Sequence, residues 1–547
     1  MKRNPSNTVN RVSRAPMLRP TSRLAPRLLP ALVPVVLALG GCINVGPNYK
    51  LPDHAAVNAP YANGAIEGAN QAPVSQQAVP AKWWRLYDDP VLDQLVTQAL
   101  SSNTDLRVAA ANLARSRAEL EFANEQGGFS GKTSAAFQRA QESAQQYLLT
   151  EKVPVVTEGA LDLSVSYEVD LFGKLRRGVE AAKADDEAVE AAIDLARITV
   201  VADVVRAYVE SCSAGEELEI AQKSLALQRQ RVKFSQQLRD AGRGNQPDVT
   251  RGQTQADTLA ADIPRFVARR RAAQFRLAML LARAPNDLPP AVLTCSKLPQ
   301  LKQPIPVGDG AALLKRRPDV RQAERLLAAS TARIGVATAA LYPSVSIGAS
   351  AGSVGVAADL FGASTNRWAF GPLISWTFPI NGQRARVAEA QASTAGALAH
   401  FDGVVLNALR ETQTSLSTYA SDTTRADALR TAYQSAVQSA EETHRLYTAG
   451  RESFIDDLDA TRTLENVAGQ VAAANSQVAV DQVNLFLALG GGWEESESEP
   501  DGMKTGDTAS RKPADKSANA SVKASANKVA DKMLDKPAET KPPEKRD

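Results

Sequence analysis

Leu161-Asp-Leu-Ser-Val-Ser-Tyr-Glu-Val-Asp-Leu171 alternates without a break: Leu161, Leu163, Val165, Tyr167, Val169 and Leu171 are apolar, while Asp162, Ser164, Ser166, Glu168 and Asp170 are polar. A period of two puts the first set on one face of a β-strand and the second on the other. Phe172-Gly173 then ends the alternation, and from about 174 to 240 the apolar residues recur at spacings of three and four instead, as in Val189, Ile193, Ala196, Val200, Val204 and Ala207. A helix of that length runs on the order of 100 Å, too long for a compact domain. Its narrow seam suits a coiled-coil-like partner.

The same sequence of events happens twice. Asn103-Thr-Asp-Leu-Arg-Val-Ala echoes Arg317-Pro-Asp-Val-Arg-Gln-Ala, and Ser166-Tyr-Glu-Val-Asp-Leu-Phe-Gly echoes Ser375-Trp-Thr-Phe-Pro-Ile-Asn-Gly. Asp240-Ala-Gly-Arg matches Thr448-Ala-Gly-Arg, and Leu277-Ala-Met-Leu-Leu matches Leu485-Phe-Leu-Ala-Leu. Four matches in one order define a duplication of roughly 210 residues. Each repeat reads as a shorter helix, a strand pair, a long helix, a glycine turn and another shorter helix. The second long helix spans about 384 to 449, with Leu398, Val405, Leu409, Leu416 and Tyr419 on its seam. Shorter helices are expected at about 91 to 125, 248 to 282, 318 to 340 and 456 to 489, stacked end to end in pairs beside the long ones. In the second repeat the strand alternation runs from Trp368 to Ile380, preceded by Val345, Ile347 and Ala349. The remaining strand falls between 129 and 148. A soluble sandwich would alternate in the same way, yet two hairpins separated by 200 residues have no evident partner sheet within the chain. In lipid, an open edge must be paired, so four strands per chain would span a membrane only by closing with other copies.

Composition narrows the class. Basic and acidic residues number 63 and 60, a net of +3, which gives no electrostatic case for a nucleic-acid partner. Aromatic residues make up 5%, consistent with extended helices more than a layered core. His54, His400 and His444 lie in unrelated contexts and are read as solvated or helix-surface residues, so neither a metal centre nor a catalytic triad is expected. No cofactor is expected, and no enzyme activity. Cys212 lies in a helical pattern and Cys295 in a proline-rich connection; the sequence alone does not bring them together.

The amino terminus reads as an address. Leu28 to Leu39 is apolar, follows Arg19, Arg23 and Arg27, and ends in Leu39-Gly40-Gly41-Cys42. It is too short and proline-broken to span a bilayer and reads as a secretion signal, with Met17 the expected start. The Leu-x-Gly-Cys ending resembles a bacterial lipobox, which makes Cys42 the lipid attachment site and the first mature residue. Ile43, rather than Asp, follows it. No later segment offers about 20 apolar residues in a row.

Cys42 is followed by Val45-Gly-Pro-Asn-Tyr-Lys-Leu-Pro, then Lys82-Trp-Trp-Arg-Leu-Tyr-Asp-Asp-Pro, Arg317-Pro-Asp-Val-Arg, and Ala449-Gly-Arg with Asp456-Asp-Leu-Asp-Ala. On these motifs, residues 42 to about 493 resemble the TolC family of outer-membrane efflux proteins, in the lipoprotein branch labelled NodT or OprM-like. The resemblance implies a mainly α fold with β: a homotrimeric channel with long antiparallel helices forming an α-helical tunnel, and four strands per chain of a twelve-stranded transmembrane β-barrel. It further implies a periplasmic adaptor protein and an inner-membrane pump, of RND type, as partners. Residues 1–41 would be the lipoprotein signal peptide, 42–90 a lipid-anchored periplasmic segment, and 91–284 the first repeat. Residues 285–316 would be an equatorial linker, 317–490 the second repeat, and 491–547 a disordered tail.

The turns at Gly242-Arg243 and Gly450-Arg451 should be the tunnel tips and contact the adaptor. Asp456 and Asp459 match acidic positions that ring the entrance of related channels, Asp248 matches one in the other repeat, and Tyr447 matches a gate tyrosine. Glu452 stands where the family often has a basic residue, so a gate ion pair is not carried over. Ser453-x-x-Asp456 and Asn245-x-x-Asp248 also read as helix caps, a role compatible with gating. The expected function is a passive efflux conduit for drugs or other small organic compounds; with only Met279, Met503 and Met533 in the mature chain, copper or silver is a poorer cargo. The alternative is a periplasmic coiled-coil adaptor or structural lipoprotein that never spans the membrane, and an envelope hydrolase is a distant third. If Cys42 carries the anchor, Cys42→Ser will abolish incorporation of labelled palmitate while leaving the polypeptide exported, as read by autoradiography of fractionated cells.

Overall fold

The computed structural model describes residues 44–491 apart from 65, 67–71 and 149. The signal segment, Cys42 and the tail from 492 lie outside the described residues. The first repeat comprises α1 (Pro90–Ser102), α2 (Thr104–Glu125), β1 (Phe129–Ala140), β2 (Val156–Val169), α3 (Lys174–Asp240) and α4 (Gln246–Leu280). The second comprises α5 (Gly310–Arg316), α6 (Pro318–Ala339), β3 (Ser344–Val356), β4 (Asn366–Ser375), α7 (Asn381–Thr448) and α8 (Phe454–Ala488). The long helices α3 and α7 contain 67 and 68 residues. Helix α3 packs against α2 and α6 over one half and α4 over the other; α7 pairs with α6 and then α8.

The expected helix 91–125 is two helices. Asn103, 2% exposed, turns its side chain into a cap that accepts from the Asp105 and Leu106 amides at 2.8 and 3.2 Å. Its amide nitrogen donates to Leu280 O at the end of α4, 2.9 Å away. The duplicated position in the second repeat, Arg317, breaks α5 from α6 and donates from Nη1 to Ala488 O at the end of α8, 2.8 Å away. Capture of a closing helix's free carbonyl by the residue at the break is thus common to both repeats. Arg317 is also bound by Asp319 and Glu411 at 2.6 and 2.8 Å, and Gly490 at φ +66 leaves room where a Cβ would come 2.9 Å from Arg317 Cγ.

Around these joints lies the main core. Trp83 and Phe486 stack with centroids 4.5 Å apart, and Leu92, Leu95, Val204, Leu277, Leu281 and Val483 close around them. The linker between the repeats supplies Ile305 and Pro306, paired in parallel with Val74 and Ser75. Cys212 and Cys295 form a disulfide across this belt, a pairing the sequence left open. Closing a chain separation of 83 residues is worth on the order of 4 kcal/mol in the chain-entropy account. Gly215 admits the linker: a Cβ there would lie 2.1 Å from Cys295 O.

Of the seam expected on α3, Ile193, Val200, Val204 and Ala207 are buried, and the remainder differs. Val189 and Ala196 are only half-buried, while Ala181, Ala184, Ala188, Ala191 and Ile198 are buried, because small residues let α6 approach closely. Along α7, Val405, Leu416 and Tyr419 are buried as expected, with Phe401 and Ala408 added; Leu398 and Leu409 are half-buried.

The sheet also corrects the expectation. The two hairpins are each other's partners, giving one four-stranded antiparallel sheet in the order β1-β2-β3-β4, with Glu158 opposite Val356 and Val169 opposite Val345. Alternation beyond Ser375 does not continue as strand to Ile380, since the partner strand begins only at Ser344, after Pro343, and the ladder has nothing left to pair with. The remaining strand, sought between 129 and 148, is β1.

A strap from Asn44 to Asn63 crosses the strand–helix junctions. Arg177, at the start of α3 and 2% exposed, donates to Val45 O and Gly46 O at 3.2 and 3.3 Å and to Asn48 Oδ1 at 2.7 Å, with Glu180 as its counter-ion at 2.6 Å. Gly46 (φ +85) and Gly335 make this possible, since a Cβ on Gly335 would lie 2.7 Å from Arg177 Cγ. Further along, Tyr49 bonds Glu324 at 3.2 Å and Ala56 N bonds Asp402 at 2.8 Å. Replacing Arg177 by Met leaves two strap carbonyls and Asn48 without their buried donor. The expected cost is about 1–3 kcal/mol, seen as a lower urea midpoint together with new proteolytic cleavage within residues 44–63.

Candidate functional site

The sheet has two chemically different faces. Cross-strand rows on one face read Phe129, Tyr167, Ile347, Pro372; then Val165, Ala349, Phe370; then Leu163, Ala351, Trp368. Trp368, Phe370, Ile374 and Phe378 are 65 to 84% exposed, an apolar surface left uncovered among the described residues. On the other face the rows are Ser134, Asp162, Gly352, Arg367 and Lys132, Ser164, Ser350, Ala369. Arg367 and Asp162 form an ion pair across the intervening strand. Gly352 is what permits it: a Cβ there would lie 2.6 Å from Asp162 Oδ1. Apolar outside and polar inside is the pattern of a membrane barrel wall. Strands β1 and β4 each leave one edge without a partner among the described residues. Among the described residues no helix is long and apolar enough to cross a membrane.

At the far end of the long helices, the two turns have the same construction. Gly242 and Gly450 take φ +70 and +72, with open space where a Cβ would be. Arg243 N donates to Leu238 O at 2.8 Å and Arg451 N to Leu446 O at 2.9 Å, which closes each helix by wrapping the chain back on its last carbonyls. The next helices begin on side-chain caps: Asn245 Oδ1 accepts from Asp248 N at 2.9 Å, and Ser453 Oγ from Asp456 N at 3.2 Å. Gly242, Arg243, Gly450 and Arg451 are all exposed.

The acidic residues separate into two groups. Asp456 and Asp459 are exposed; Asp456 is bound by its capping serine and Asp459 lies 3.6 Å from Arg462. Asp248 is partly buried, 3.5 Å from Arg251. Asp457, not singled out from the sequence, is 1% exposed and faces His444 Nδ1 at 3.2 Å, so His444 is more than a helix-surface residue. Phe454, Leu458 and Thr461 are buried at spacings of three and four, and Asp457 falls on that stripe; this periodicity was the available signal. Tyr447 stands edge-on to Phe234 and Phe454, with centroids 6.3 and 5.9 Å away, and burial raises its hydroxyl pKa. These side chains surround a cleft of about 420 Å³ between the ends of α3 and α7 and the start of α8. Arg451 and Glu452 are exposed and make no ion pair within the described residues. No group of three or more His, Cys, Asp or Glu side chains suited to a metal occurs among the described residues.

A sheet with an apolar outer face and two open edges, carried on helices on the order of 100 Å long, defines a channel subunit whose barrel is built from more than one chain. The chain belongs to the outer membrane efflux protein family, whose model matches residues 95–283 and 311–491. It is 28% identical to nodulation protein T of Rhizobium leguminosarum bv. viciae over 85% of this chain and 94% of that protein. The antibiotic efflux pump outer membrane protein ArpC of Pseudomonas putida is also 28% identical, over 85% and 96%. The solved outer-membrane channel OprN superposes with a TM-score of 0.74 at 34% identity, over 82% of this chain and 99% of that one. The protein is an outer-membrane efflux channel with a periplasmic tunnel. A periplasmic adaptor, the rival reading, would have no use for the apolar sheet.

Removing the imidazole by His444→Ala leaves the buried Asp457 carboxylate facing an empty site, at a cost of about 1–3 kcal/mol. Amide hydrogen exchange in the first two turns of α8 will accelerate, while the sheet amides keep their protection.

Proposed function

We propose that three copies close one twelve-stranded barrel, the β4 edge of each pairing with the β1 edge of the next, and that the joined helices continue it as a tunnel into the periplasm. The observation that carries this reading is the four-stranded sheet with both outer edges unpaired and one apolar face uncovered. Strands of 10 to 14 residues meet the roughly 9–11 that a tilted strand needs to cross a bilayer. Lipid on Cys42 holds the strap end at the membrane, two residues before the chain reaches Asn44 beside Gly173.

The mouth lies at the tips. Asp456 and Asp459, exposed at the start of α8, repeat around the axis as a like-charge ring that attracts cations, with Asp248 adding to it from the other repeat. Tyr447 ties the inner helix α7 to α3 through Phe234, so its ring is placed to hold the closed arrangement. The exposed turns at Gly242-Arg243 and Gly450-Arg451 receive a periplasmic adaptor, which favours the dilated state through its greater affinity for it. An inner-membrane pump of RND type supplies the energy, and this subunit conducts drugs or other small organic compounds passively, as its resemblance to an antibiotic efflux protein supports.

Single-channel recording of the purified protein in planar bilayers tests the mouth directly. Wild type will give small, cation-selective steps that divalent cations block, and Asp456→Ala with Asp459→Ala will raise conductance and remove the block. Unchanged conductance and block in the double variant would remove these carboxylates from the gate.

A further inference from the structure

Where α7 and α8 run side by side, away from the mouth, two carboxylates meet. Asp481 on α8 is 3% exposed and borders a cleft of about 540 Å³. Its Oδ1 accepts from Gln477 Nε2 at 2.9 Å, whereas the buried Oδ2 finds no donor. The group it faces is the Asp422 carboxylate on α7. Two of the cations nearby are already engaged, and Arg425, three residues beyond Asp422 on α7, is exposed. Arg206 of α3 is held by Asp203 at 2.6 Å and Asn484 at 2.9 Å. Arg317, at the head of α6, is held by Asp319, Glu411 and Ala488 O. The other titratable neighbour is Tyr419, whose hydroxyl pKa is raised by burial. Two ionised carboxylates in this position would repel each other and leave a buried oxygen unsatisfied, whereas a single proton between them removes both penalties.

We propose that Asp422 and Asp481 form a proton-binding site in the tunnel wall, with one shared proton joining α7 to α8 and its loss loosening that helix pair. Burial, reinforced by Asp422, pushes the Asp481 carboxyl up to about 6, against an ordinary value near 3.9. With the folded-state value raised, the folded chain binds more protons than the unfolded one between about pH 4 and 6. The stability contributed by the shared proton is therefore complete below about pH 4 and lost as pH rises through about 6. The site is independent of the acidic mouth, and its readouts do not involve conductance, so its failure is distinguishable from failure of the channel reading.

The test is thermal unfolding of the full-length, detergent-solubilised protein between pH 4.5 and 7.5, alongside infrared spectra of the protonated-carboxyl C=O stretch. Asp481→Asn, which supplies a permanent donor, should melt above wild type at pH 7.5 and converge with it at pH 4.5; Asp422→Asn should do the same. Wild type should show a carboxyl band that disappears as pH rises through about 6 and that both variants lack. Parallel melting profiles for wild type and variants, or no titrating band, would overturn the proposal. So would millimolar calcium chloride raising the wild-type midpoint at pH 7.5 but not that of the variants, since a divalent cation would then be the occupant.

Discussion

Two uninterrupted helices impose a problem of register that the rest of the chain resolves at one level. Helices α3 and α7 are long enough to run from the sheet to the tips, and the shorter helices must cover them in two stages. The joint between stages is where Asn103 holds Leu280 O and Arg317 holds Ala488 O. A helix end buried without partners would cost several unsatisfied carbonyls, so these bonds allow helices to meet end to end in a dry belt. The Trp83–Phe486 stack, the disulfide and the short parallel pair from the linker all gather at that level. Away from that level the clusters of buried apolar residues are smaller.

The sheet obeys a different necessity. Backbone groups at its edges have no partner among the described residues, and lipid would supply none. Its side chains are already sorted for the two media, with Trp368 and Phe370 on one face and the Asp162–Arg367 pair on the other. A single chain is therefore complete in its helices and incomplete in its strands, and association with other copies finishes the hydrogen bonding that folding leaves undone.

Periodicity made most of this legible. Alternation in Leu161 to Leu171, and the three-four spacing that follows, locate β2 and α3 closely, and the duplication carries the reading to the second repeat. The breaks were harder to see. Asn103 has the residue type of a cap, but its second partner, Leu280 O, is 177 positions away and leaves no local trace. Pairing of β2 with β3 and closure of Cys212 on Cys295 are likewise contacts between distant segments. At the tips, the exposed Asp456 and Asp459 were recognisable by resemblance, whereas Asp457 required counting along the buried stripe from Phe454. The buried Arg177 offered only Glu180, one turn on, as a local signal, since its other acceptors lie in a segment more than 100 residues earlier.

That last arrangement orders events during biogenesis. The strap precedes both repeats in the chain, but its seats on Arg177, Glu324 and Asp402 lie 132 to 346 residues downstream. It can be seated only after most of the polypeptide has arrived. With the lipid proposed on Cys42, a chain held at its end during that interval would be confined to a thin layer at the bilayer surface, which would raise the encounter frequency among copies that must still find one another.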